Sequence, residues 1–206
     1  MRARLTQTVL VVVLVAGFVS ACAVPGASSE GDETALPTSG CPDAAASAPG
    51  KAANPVQDPE FWAVIRKSCE VSNDGDELQA EALRELLRTL EPAQVELFHR
   101  EFRKANRALY TQAFVTAADH VCQMDELGLG DDLGTDYRSW TVAHGRAAYE
   151  AVLGDPQALA DFDDAELGCG SGEPMTYAAL EVYDELTGLG PEDDGLPQIE
   201  PVDPPR

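Results

Sequence analysis

From Asp58 to about Gly190, apolar residues recur every three or four positions, and no stretch shows the period-two alternation of a half-buried strand. Asp58-Pro59 predicts a helix start, with Asp as cap and Pro at the first position, and Phe61, Trp62 and Ile65 forming its apolar face. Asp76 predicts a second start, followed by Leu78, Ala82, Leu86 and Leu90 at helical spacing, with Leu83 and Leu87 widening the face. Pro92 opens a long third helix that carries Val95, Phe98, Phe102, Ala105 and Leu109 on one side and is expected to run on through Ala113 to Ala118. An acidic, glycine-containing loop, Asp125 to Gly134, follows. Tyr137, Trp140, Ala148 and Val152 mark one further helix that ends before Asp155-Pro156, and a short helix is expected around Pro156–Phe162. After a Gly168–Gly172 loop, Pro174 begins the last helix, with Tyr177, Leu180 and Tyr183 facing inward and Gly188 as its stop. The fold expected is all-α, a single bundle of about five to six helices over residues 58–190.

The ends of the chain have another character. Arg2 and Arg4 precede an uncharged apolar run, Val9 to Val19, shorter than the roughly 20 apolar residues a membrane-spanning helix needs. A basic start and a short apolar stretch read as a secretory signal. Val19-Ser20-Ala21-Cys22 looks like a lipobox, in which small residues admit the peptidase and the Cys22 thiol takes the lipid. Residues 1–21 are therefore expected to be a signal peptide and Cys22 the lipid anchor, placing the protein on the extracytoplasmic face of a cell membrane. Residues 22–57, rich in Ala, Ser, Gly, Pro and Asp, read as a flexible linker, and the acidic, proline-rich 191–206 as a disordered tail.

Charge and cysteines narrow the partners. The formal net charge is −22, and removing residues 1–21 takes away two arginines and no acid, leaving 12 − 36 = −24. Such a surface repels phosphate backbones, so no nucleic-acid partner is expected, and membrane attachment should come from the lipid on Cys22. A monomer is expected. With Cys22 lipidated, Cys41, Cys69, Cys122 and Cys169 remain, an even count that suggests disulfides in an exported chain. Sequence leaves the connectivity open. Cys41–Cys69 and Cys122–Cys169 are favoured, since each pairs a loop-like cysteine with one on or near a helix.

Three clusters could carry chemistry. Asp131, Asp132 and Asp136, with His144 downstream, could hold a hard cation or supply an acid and a base, yet Asp136 could equally cap the next helix. Arg100, Arg103, Lys104 and Arg107 fall on one helical face, where they could pair with Glu96, Glu101 or an acidic loop, or form a site for an anionic ligand. Arg138 beside Trp140 could bind a carboxylate or line a pocket, or serve only as a salt bridge next to a core ring. No nucleophile elbow, zinc-protease motif or phosphate-binding glycine loop is present in the sequence, so no catalytic residue, metal ligand or cofactor is assigned.

The order Phe61-Trp62-x-x-Ile65, then the leucine helix, then Asp131-Asp132…Asp136-Tyr137-Arg138-Ser139-Trp140…Gly145-Arg146 resembles a bacterial family known as domain of unknown function 4240. Tyr149-Glu150-x-x-Leu153-x-Asp155-Pro156-x-x-Leu159-Ala160 and the closing Tyr177…Tyr183…Thr187-Gly188 resemble it too. The resemblance implies no activity. The chain departs from the family's S-D-D-x-F-x-x-F-R-x-W-L-I stretch: Gly130 replaces its serine, Gly134 its first phenylalanine, and Thr141 an aliphatic residue. The function expected is a membrane-tethered, non-enzymatic module that binds a protein or ligand. The alternative is a metal-dependent hydrolase or cation-binding domain built on Asp131, Asp132 and His144.

Overall fold

The computed structural model describes residues 53–124, 128–163, 165–190, 195–197 and 199. Cys22, Cys41 and the signal segment lie outside the described residues, as does the side chain of Asp131. All regular structure in the described residues is helical: α1 (Pro59–Cys69), α2 (Glu77–Leu87), α3 (Pro92–Leu109), α4 (Gln112–Val121), α5 (Gly130–Ala143), α6 (Arg146–Gly154), two 3-10 segments (Pro156–Asp161 and Ala165–Cys169) and α7 (Glu173–Thr187). None of these helices is long and apolar enough to cross a membrane.

The helix starts follow from their caps. Asp58 accepts from the Glu60 amide (2.8 Å) and Asp76 from the Gln79 amide (2.9 Å), each satisfying a donor that the first turn leaves open. At α3 the Gln94 side chain reaches back to accept from the Glu91 amide, with Pro92 at the first position. Helix α7 packs against α2, α3 and α5, and α1 against α2. The core between them holds Phe61, Ile65, Leu83, Phe102, Leu109, Tyr137, Trp140 and Tyr149.

The structure differs from the pattern-based expectation in several places, and more helices result than the five to six expected. The third helix does not continue through Ala118. It stops at Tyr110, and Thr111 caps α4 by accepting from the Phe114 amide (3.1 Å). The helix expected to run from Tyr137 past Val152 is broken at Gly145, whose φ of +88° an L side chain would resist. On α2 the buried line is Ala80, Leu83 and Leu87, with Gln79 and Arg84; Leu78 is 64% exposed. On α7 Tyr177 faces outward (40% exposed), while Met175, Ala178, Ala179 and Val182 are buried. Helix α5 starts at Gly130, earlier than expected, because the Leu129 amide donates to Asp119 Oδ1 (2.8 Å) and Leu129 itself is buried.

The domain also exceeds residues 58–190. Val56 is fully buried, its carbonyl accepts from the Trp62 indole N–H (2.9 Å), and Asn54 donates to Glu150 (2.8 Å). Beyond Gly190, Leu196 is buried and His99 Nε2 donates to the Pro197 carbonyl (2.7 Å), so this part of the tail packs on α3. Cys122 and Cys169 form a disulfide with a Cα–Cα distance of 5.7 Å, tying the end of α4 to the turn before α7. Cys69 is disulfide-bonded as well, to a partner outside the described residues.

Candidate functional site

Asp132 and Asp136 do not gather with His144. Asp132 lies in the first turn of α5 and Asp136 in the second, so Asp136 caps nothing, contrary to the reading of it as a helix cap. His144 ends the same helix, eight residues beyond Asp136, which at 1.5 Å per residue is about 12 Å along the axis. It is buried against Trp140 and Phe162, and its Nδ1 donates to the Trp140 carbonyl (2.9 Å). Asp136 and Asp132 instead face Glu173, the first residue of α7. This approach is close: Gly172 sits so near the α5 backbone that a Cβ there would collide with the Asp136 carbonyl. Burial first, then the Glu173 and Asp132 charges, push the Asp136 carboxyl up to about 6, against an opposing pull from Arg138. No three His, Cys, Asp or Glu side chains are grouped as metal ligands among the described residues.

The patch read from Asp131, Asp132, Asp136, Arg138 and Trp140 therefore divides. Trp140 is fully buried, stacked on Tyr137 at 5.4 Å, and belongs to the core. Arg138 leaves α5 in another direction, toward α3. Its Nε donates to Asn106 Oδ1 (2.8 Å) and its Nη2 to Thr135 Oγ1 (2.9 Å), while the guanidinium lies 4.2 Å from the centre of the Tyr110 ring. Asn106 in turn donates to Ser139 Oγ (2.8 Å) and to the Thr135 carbonyl (3.1 Å), and Thr176 of α7 donates to the same Ser139 oxygen (2.8 Å). A buried polar network thus fixes Arg138 between three helices.

At the outer end of this network is a cleft of about 280 Å³, lined by Arg103, Lys104, Asn106, Arg107, Tyr110, Arg138 and Ile199. Three of the four residues of the basic stripe line it; Arg100 does not. The pairing expected with Glu101 occurs for Arg100 (3.9 Å) and Lys104 (3.2 Å). Arg103 and Arg107 have no carboxylate within 4.0 Å among the described residues. The sequence reading missed Asn106, Tyr110, Thr135 and Ile199. A signal existed for Asn106, an amide four residues after Phe102 on the apolar side of α3. None marked Tyr110 or Ile199, whose positions depend on the α3–α4 break and on the return of the C-terminal segment.

A family model described as "Protein of unknown function (DUF4240)" matches residues 57–185. No curated protein matches the chain, and no solved structure does.

Proposed function

From the premise that the chain belongs to this family of proteins of unknown function, we propose that it is a bacterial lipoprotein, held by lipid on Cys22 at the extracytoplasmic face of the membrane, whose helical domain binds a ligand non-covalently. The observation that supports binding is the cleft beside α3. It joins side chains held rigid by buried hydrogen bonds, Asn106 and Arg138, to solvent-facing groups, Lys104 and Arg107. Fixed polar groups around a recess are what a binding site needs, because little side-chain freedom is lost on capture. The hydrolase alternative has less support, since its histidine is buried two helical turns from Asp136.

Two measurements test this reading. Replacing Cys22 with Ala should release the protein from the membrane fraction and abolish lipid labelling; unchanged retention would refute the anchor. Thermal shift of the full chain, in a detergent with an uncharged headgroup, should show stabilisation by at least one class in a panel of anionic, neutral and cationic small molecules. A panel that leaves the melting temperature unmoved in every class would sink the binding reading.

A further inference from the structure

We propose that the cleft beside α3 is a site for a small oxyanion, a phosphate or carboxylate group carried by a soluble molecule. The inference rests on the binding reading above and names its ligand class. With 36 acidic and 14 basic residues in the chain, an arginine placed anywhere on this surface will normally find a carboxylate. Most do: Arg66, Arg84, Arg88, Arg100 and Arg146 each lie within 4.0 Å of one. Among the described residues Arg103 and Arg107 do not, and both line the same cleft.

Their spacing makes the exception useful. Residues four apart on a helix stand one above the other, so the two guanidinium groups project from adjacent turns of α3 toward one recess. Lys104 adds a third positive charge from the same helix, partly satisfied by Glu101. Such groups repel one another, and leaving them together without an anion costs stability that any bound oxyanion returns. Guanidinium forks match the oxygens of phosphate and carboxylate. The Asn106 amide and the Arg138–Tyr110 pair form the back of the recess, and Ile199 gives it one apolar edge. The volume, about 280 Å³, is near the lower limit for ligand pockets, which suits a metabolite-sized molecule rather than a chain segment. A lipid headgroup is a poor source, because a chain with a net charge of −22 would be repelled as a whole by an anionic bilayer.

The test is calorimetric titration of the full chain, in uncharged detergent, with inorganic phosphate, pyrophosphate and citrate, beside Tris as a cationic probe. One-to-one binding of at least one of the anions is expected, weakening as sodium chloride is added. Arg103→Gln and Arg107→Gln should each weaken it about tenfold or more, the loss of one charge-assisted contact. Arg103→Lys should restore part of the loss. Arg100→Gln, on the same helix but outside the cleft, should leave affinity unchanged. Circular dichroism of each variant verifies that it folds. Absence of binding by all three anions overturns the proposal, as does binding that Arg103→Gln and Arg107→Gln leave intact. Binding only to vesicles that carry a phosphomonoester lipid overturns the soluble source. If Tris or a neutral compound binds while the anions do not, the oxyanion proposal falls and the ligand-binding reading stands.

Discussion

Arginine does different work on two faces of this domain. Between α2 and α7, Arg84 bonds Glu77 (2.7 Å), Glu81 (3.2 Å) and Glu181 (2.6 Å), and Arg88 grips both oxygens of Glu185 (2.8 and 3.0 Å). The two arginines act as rivets between helices. On α3, Arg103 and Arg107 have no carboxylate to rivet to among the described residues. Cohesion on that side comes from a buried hydrogen-bond network, in which Arg138 donates to Asn106 and Thr135 and Asn106 and Thr176 donate to Ser139, while the Cys122–Cys169 disulfide ties the end of α4 to the turn before α7. Because the helices there are joined without drawing on Arg103 and Arg107, those two cations can line the cleft. An acidic protein can keep a positive recess only where something other than ion pairs holds the helices together.

The largest expected effect therefore lies in the covalent link. The cysteines are 47 residues apart, and closing a loop of that length stabilises a fold by roughly 4 kcal/mol in the chain-entropy model. Replacing both Cys122 and Cys169 with Ala should lower the unfolding free energy by that order, read from denaturant titration. A loss below about 1 kcal/mol would mean that noncovalent packing alone holds the end of α4 against the turn before α7.

Arg84→Gln comes next. The Arg84 side chain is only 9% exposed, and its removal leaves three carboxylates close together. Those carboxylates are half exposed or more and can rehydrate, so the expected loss is about 2 kcal/mol, not the full cost of stranding a buried charge. The same change at Arg103 or Arg107 should cost no more than about 0.5 kcal/mol, since neither has a carboxylate partner among the described residues. Equal losses at Arg84 and Arg103 would erase the contrast between the two faces.

How far the sequence announced this contrast depends on the scale of the signal. Local chemistry was legible: Asp58, Asp76 and Pro92 mark helix starts because caps and prolines act within one turn. The apolar line of α3 was legible because five residues repeat the helical period. The breaks at Tyr110 and Gly145 were not, since apolar residues continue on both sides and periodicity does not register a change of direction. The face of α2 was misread by a third of a turn, because leucines at 78, 83, 86 and 87 offer two overlapping stripes and only the position of α7 chooses between them. The basic stripe and its local pairing with Glu101 could be seen, but the cleft that Arg103, Lys104 and Arg107 line could not, because Arg138 and Ile199 reach it by tertiary packing.

The smallest effect expected is in the acid response, where the ion-pair face and α5 should oppose each other. Glu81 and Glu185 are held below the usual carboxylate range, mainly by hydrogen bonds to Arg88, so what they contribute is present at neutral pH and fades as pH falls through their lowered values. Asp136 runs the other way. Its folded value of about 6 lies above the ordinary 3.8, so between these limits the folded chain holds a proton that the unfolded chain has released. Its ionisation therefore destabilises the fold, and acidifying from neutral pH to about 4 removes that penalty. Asp136→Asn should mimic the protonated acid and raise the melting temperature at pH 7 by a few degrees at most, because the half-exposed carboxyl is screened by solvent. It should also make the fold more acid-sensitive than the parent, since only the Glu81 and Glu185 losses would remain. Melts of both proteins from pH 7 to pH 4 decide the point. The two curves should converge toward the acid end. Parallel curves would show that Asp136 titrates as an ordinary exposed carboxyl and that its proximity to Glu173 and Asp132 carries no charge penalty.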